Sequence, residues 1–179
     1  MNSPQGSLEE LYRHYAKPLY LYLLKLSGSP PLAEDLTQET FVRATISLHT
    51  YEGEEARAWL FKVARNVYLD EWRKRKKRQD SWLGAVWRQQ EMLSPEGQPE
   101  EQVLQLEHAE EVSALLAFLP EQYRTILYLR EYEQFTYEEI AEAMQVSLDQ
   151  VKVTLYRARK RYQQLAERKG WNPYEHEVE

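Results

Sequence analysis

Between Lys152 and Arg161 the chain carries five basic residues, Lys152, Arg157, Arg159, Lys160 and Arg161, and no acid, inside a protein of formal net charge −6. Val151, Leu155, Ala158 and Tyr162 follow one another at spacings of four, three and four, the signature of one apolar helix face. Lys152, Thr154, Tyr156, Arg157 and Arg161 lie away from that stripe. Such a face suits the DNA major groove, where Lys and Arg meet phosphates and Arg grips guanine through two hydrogen bonds. A solvated face on an ordinary helical hairpin has the same composition, so the deciding signals are those of the elements that hold the helix in place.

Those elements are written with unusual clarity. Thr136 with Glu139, and Ser147 with Gln150, each form the capping pair that opens a helix. Ile140, Ala141 and Met144 give the first helix an apolar face. Only Gln145, Val146 and Ser147 separate the two helices. A connection this short holds them at a steep angle, as in a helix-turn-helix whose second helix enters the groove. Glycine is favoured in such turns because it tolerates a left-handed φ, so Gln145 there implies strain or a different turn.

A second basic stretch, residues 57–78, holds nine basic and two acidic residues, a local charge of +7. With +7 here and +5 over residues 152–161, the rest of the chain carries −18. Two basic patches in an acidic body imply two separate contacts with a polyanion. The six residues 73–78 are all basic, more than a helix C-terminus needs for its dipole. Trp59, Phe61, Tyr68 and Trp72 are interleaved with the cations before them. Aromatic rings beside cations suit single-stranded nucleic acid, although Trp59 and Phe61 serve equally well as core.

The 179 residues are 42% hydrophobic and contain no cysteine, which excludes disulfides and thiolate metal sites. The four histidines are scattered without ligand spacing. No nucleophile–base pair, metal cluster or phosphate-binding loop is visible. Catalysis, cofactors and metals are therefore not expected. Without a signal-peptide layout at the N-terminus or a membrane-length apolar run, a soluble cytoplasmic protein is expected.

Periodicity predicts helices over residues 8–27, with Pro18 kinking the first, over 32–48 and over 56–78. Gly28-Ser29-Pro30-Pro31 is expected to end the first of them. Leu8, Leu11, Tyr15, Leu19, Tyr22 and Leu26 line the first helix. Ala33, Leu36, Thr40, Ala44 and Leu48 line the second, and Leu60, Val63, Ala64 and Val67 the third. Residues 79–102 form a linker with Pro95, Gly97 and Pro99, and with Trp82 and Trp87 in a short amphipathic segment. A second helical unit starts near Val103, pauses at Pro120, and continues with Tyr123, Ile126, Leu127 and Tyr132 facing its core. The fold class is all-α: two small helical domains joined by a flexible linker, the second containing a helix-turn-helix. Units of about 70 residues bury only about 60% of their chain surface, so both are suited to docking on a larger partner.

Three stretches carry a family resemblance. Residues 33–42, AEDLTQETFV, are similar to region 2.2 of the sigma-70 family. Residues 58–66, AWLFKVARN, are similar to its regions 2.3 and 2.4, and residues 119–161 to its region 4. In this order and spacing the chain resembles the two-domain extracytoplasmic-function sigma factors, bacterial RNA polymerase subunits that choose promoters. The resemblance divides the chain into a region 2-like domain (1–78), the linker (79–102), a region 4-like domain (103–169) and an acidic tail (170–179).

The resemblance also implies roles. Asp35, Gln38, Glu39 and Phe41 would face the clamp coiled coil of the polymerase β′ subunit, and the β flap is a further core contact. Asn66, with Tyr51 and the loop of residues 48–57, would pocket a base flipped out of the minus-10 element, with Arg65, Arg73 and Lys74 along that strand. Lys152, Thr154, Tyr156, Arg157 and Arg161 would read minus-35 duplex. Core RNA polymerase, promoter DNA and an anti-sigma factor are the implied partners. Val153 and Thr154 depart from the polar or basic residues common in the family. The alternatives are a free-standing helix-turn-helix regulator that binds an operator as a dimer, and an RNA-binding adaptor built on the basic aromatic helix.

Overall fold

Helix α1 (Pro4–Ser27) runs through Pro18 without interruption, starting earlier than its apolar periodicity suggests. In this computed structural model the described residues are 4–48, 51, 56–79 and 114–170. The expected linker and acidic tail therefore lie almost wholly outside them, as does most of the helix expected from Val103. Gly28, at φ 65°, ends α1, and its N–H reaches the Leu24 carbonyl at 2.8 Å.

Pro30 and Pro31 belong to the start of α2 (Pro30–Ser47) and not to a separating loop. Ser29 caps this helix by accepting from the Leu32 N–H at 3.4 Å. Proline is favoured in the first turn because the N–H it lacks would have had no helical partner. Thr37 and Thr40 are buried on the inner face and place their hydroxyls on the Ala33 and Leu36 carbonyls at 2.7 Å. Helix α3 (Ala56–Gln79) lies against both. Leu19, Leu23, Ala33, Ala44, Leu60, Ala64 and Val67 are all at most 1% exposed between the three helices.

Among the described residues the second unit opens with a helical turn at residues 114–116, and Leu115, Leu116 and Leu119 are buried. Helix α4 (Glu121–Leu127) follows Pro120 and passes into a π-helical turn, Tyr128–Tyr132. That turn inserts a residue into the helical count. Tyr132, expected in the core, is swung outward to 45% exposure, where it stacks on Tyr128 at 5.1 Å. The chain then reverses through Gln134 at φ 54°, and the Phe135 N–H returns to the Leu129 carbonyl at 2.9 Å.

Helices α5 (Tyr137–Met144) and α6 (Leu148–Arg168) form the expected helix-turn-helix, each opened by a complete capping box. Thr136 with Glu139 and Ser147 with Gln150 satisfy donors that a helix start leaves orphaned. Between the helices Gln145 is left-handed at φ 57° and ψ 47°. Val146 N–H bonds the Ala141 carbonyl and Gln145 N–H the Glu142 carbonyl, the paired reversal that commonly ends a helix at glycine. The sequence therefore tolerates the strained turn. Gln145→Gly is expected to raise unfolding stability by up to about 1 kcal/mol, the left-handed penalty less the added unfolded-state entropy, read as a higher urea midpoint.

The two units share one hydrophobic core. Phe61 of α3 meets Phe135 edge-on at 5.1 Å, and Tyr22 of α1 meets Tyr128 at 5.5 Å. The buried Tyr22 hydroxyl lies 3.0 Å from that of Thr125, and burial pushes its pKa upward. Arg124 donates to the Leu26 carbonyl at 2.9 Å.

Candidate nucleic-acid interface

The outward face of α6 is held rigid from behind. Val151, Leu155 and Ala158 are at most 1% exposed, which fixes where the opposite side chains project. Lys152, Tyr156 and Arg157 are exposed there, with Tyr156 at 68%, whereas Thr154 and Arg161 are half-buried at the margin. Val153 is 47% exposed amid these polar groups. Arg159 is committed to Glu131 at 2.7 Å. Among the described residues no ion pair engages Lys152, Arg157, Lys160 or Arg161, so their charge is available to a polyanion.

The second expected surface, on α3, is arranged differently. Arg57 places its guanidinium 4.3 Å over the Phe135 ring and donates to both carboxylate oxygens of Glu139 at 2.9 Å. Arg65 forms a two-pronged pair with Glu121 at 2.8 and 3.0 Å and also donates to the Met144 carbonyl at 3.2 Å. The Asn66 amide reaches the Gln145 side chain at 3.4 Å. Three polar residues along one helix thus meet α4, the approach to α5 and the turn of the helix-turn-helix.

Electrostatics follow from that geometry. Burial works against the Arg65 charge, but the Glu121 carboxylate raises its pKa above the ordinary arginine value. Burial likewise works to raise Glu139, yet the Thr136 backbone N–H and the Arg57 guanidinium hold its carboxyl below the usual range. Sequence reading assigned Glu139 to its cap alone and paired neither Arg57 nor Arg65 with an acidic residue of the chain. Nothing local signals contacts between residues 56 to 82 positions apart.

Of the other expected strand contacts, Tyr51 stacks on Trp59 at 4.6 Å. Arg73 and Lys74 are exposed further along α3, Arg73 with Asp70 at 3.0 Å. Trp59, Phe61 and Tyr68 are buried, so those rings are core and offer no stacking ladder. Trp72 is 38% exposed, with the Lys76 ammonium 5.1 Å over its ring.

On α2, Asp35, Gln38 and Glu39 are exposed beside a shallow groove shared with α3. Glu39 pairs with Arg43 at 2.8 Å, and Arg43 bridges onward to Asp70 at 2.6 Å. Phe41 does not share that exposed face. It is 8% exposed, under Tyr12 at a ring distance of 4.9 Å, because its register on α2 turns it toward α1. Among the described residues no cluster of His, Cys, Asp and Glu could hold a metal, and no helix is long and apolar enough to cross a membrane.

Comparison with known proteins assigns the two units to one family. Residues 11–78 match the Sigma-70 region 2 family and residues 109–161 match Sigma-70, region 4. The chain is 35% identical over 165 residues to the ECF RNA polymerase sigma factor SigM of Bacillus subtilis, covering 90% of this chain and 96% of SigM. It is 33% identical to the RNA polymerase sigma factor YlaC of the same organism, over 87% of this chain and 89% of YlaC. In fold it is similar to the sigma factor RpoE of Bartonella quintana, solved with the anti-sigma factor NepR, at TM-score 0.74 and 24% identity over 90% of this chain and 97% of that one. A similar likeness holds for CnrH, solved with the cytosolic domain of CnrY, at TM-score 0.65 and 19% identity over 92% of this chain and 90% of that one. Both units are matched in their order along the chain and SigM is covered almost end to end, so the chain belongs to the extracytoplasmic-function sigma factors of the sigma-70 family.

Proposed function

We propose that this alternative sigma factor divides promoter recognition between its two units, working in the cytoplasm on core RNA polymerase. The observation that carries the reading is the stretch of residues 152–161 in α6, five basic residues and no acid, presented by a helix-turn-helix with two complete capping boxes. Lys152, Tyr156 and Arg157 contact minus-35 duplex, with Thr154 and Arg161 at its edge. The exposed Val153 offers methyl groups to a thymine methyl, the apolar mark of the major groove.

Residues 1–78 bind core and capture melted minus-10 DNA, and residues 103–169 form the duplex-reading domain. Asp35, Gln38 and Glu39 meet the β′ clamp, with Phe41 supporting that face from beneath. Asn66, Arg65, Tyr51, Arg73 and Lys74 serve the single strand. Unstacking a base costs a few kcal/mol, which stacking and edge hydrogen bonds offset. An anti-sigma partner, as RpoE has in NepR, completes the proposal.

Run-off transcription with bacterial core polymerase on a pool of promoter fragments tests it. Transcripts from a subset of fragments that require this protein are the expected result, and aligning them yields both elements. No transcripts and no co-elution with core would refute it. Asn66→Ala is expected to leave co-elution with core intact while promoter opening, followed by permanganate reactivity, falls. Equal loss of both would point to misfolding instead.

A further inference from the structure

We infer that Asp149, in the first turn of α6, selects a cytosine in the minus-35 element and rejects the other bases at that position. This rests on the duplex-reading role proposed for α6. Asp149 stands four residues before Val153 and eight before Arg157, so the three side chains share one face of the helix. All three are exposed, and the face lies opposite the buried Val151, Leu155 and Ala158. The basic stretch of residues 152–161 is thus preceded, on the same face, by a carboxylate.

The first turn leaves this side chain alone to read with. The Gln150 side chain is turned back to accept from the Ser147 N–H at 2.9 Å, and the Ser147 hydroxyl accepts from the Gln150 N–H at 3.2 Å. Both are occupied by the capping box, and Leu148 brings no polar group. Among the described residues no hydrogen bond or ion pair engages Asp149.

An acid at a helix start complements the dipole, but that service is blind to base sequence. On a groove-facing surface the same carboxylate is repelled by phosphates and is accommodated where it meets a donor. Cytosine shows the major groove its N4 amine and no acceptor of its own. Guanine shows N7 and O6, thymine shows O4, and adenine sets N7 beside its N6 amine. A carboxylate therefore selects cytosine by attraction and rejects the other bases by repulsion. Arg157 has the converse chemistry, a fork of donors suited to guanine. Eight residues of helix set the two about 12 Å apart along the axis, so they address different base pairs.

The test is binding of holoenzyme, core polymerase with this protein, to promoter fragments in which each minus-35 base pair is changed in turn. In the wild type, one C·G pair is expected whose replacement by any other pair weakens binding about tenfold. Asp149→Asn is expected to move the preference at that one position to adenine, because asparagine both accepts from N6 and donates to N7. Asp149→Ala is expected to flatten the preference there. At the other positions, that of Arg157 included, both variants should keep the wild-type preferences.

A change in affinity equal on every fragment, with all base preferences as in wild type, overturns the inference and leaves Asp149 a partner of the dipole. A wild-type preference for a base other than cytosine at the position these variants alter overturns it as well. Wild-type holoenzyme with no base preference at any minus-35 position would instead overturn the duplex-reading role beneath it.

Discussion

Phe135→Ala is expected to lower unfolding stability by about 3–5 kcal/mol, the range for deleting a fully buried aromatic ring. Phe135 is 0% exposed, with the edge of Phe61 at 5.1 Å and the Arg57 guanidinium at 4.3 Å. It also stands immediately before the Thr136 cap. With Ile140, equally buried, it occupies the two positions that a hydrophobic staple pairs across a helix start. One substitution thus removes a core ring, exposes the cation stacked on it and loosens the entry to α5. Urea unfolding followed by circular dichroism measures the change. A loss under about 1 kcal/mol, the level of a surface change, would show that Phe135 is not part of a packed core.

Arg157→Ala is expected to weaken minus-35 duplex binding by about 1–3 kcal/mol if the guanidinium reads a base pair. Arg157 is exposed on α6 with no ion pair among the described residues, so the substitution leaves no buried partner behind. The loss should fall mainly on one base position. Binding isotherms of holoenzyme on promoter variants would resolve it. A uniform loss with a salt slope smaller by about one would instead make Arg157 a phosphate contact.

The helix-turn-helix was legible because its signals are local. Thr136 to Glu139 and Ser147 to Gln150 each span three residues, and the caps form as those residues dictate. Apolar spacing found the inner faces of α1, α2, α3 and α6 for the same reason. Pro30 and Pro31 misled because proline both ends one helix and opens the next, and only Ser29 as cap distinguishes the two. Tyr132 was misplaced because a regular period continued from Tyr123, Ile126 and Leu127 cannot register a π-helical insertion.

The candidate strand-binding surface was legible only in part. Charge counting assigned Arg57 and Arg65 to a polyanion, whereas in the fold their partners are Glu139 and Glu121. Such pairing depends on how separate units meet, and no window of sequence carries that information. The exposed face of α6 was readable because its apolar stripe and its cations share one helix.

The hydroxyl contact between Tyr22 and Thr125 joins residues 103 positions apart, within a core common to both units. Its consequence is a toll on association. A partner that requires the units apart binds only the open fraction, so its apparent dissociation constant is the intrinsic one divided by that fraction. Were about one molecule in a hundred open, every such partner would bind about a hundredfold more weakly than to a chain held open. A partner indifferent to the arrangement would bind unchanged. The shared core therefore ranks ligands by the conformation they demand, before any promoter sequence has been read.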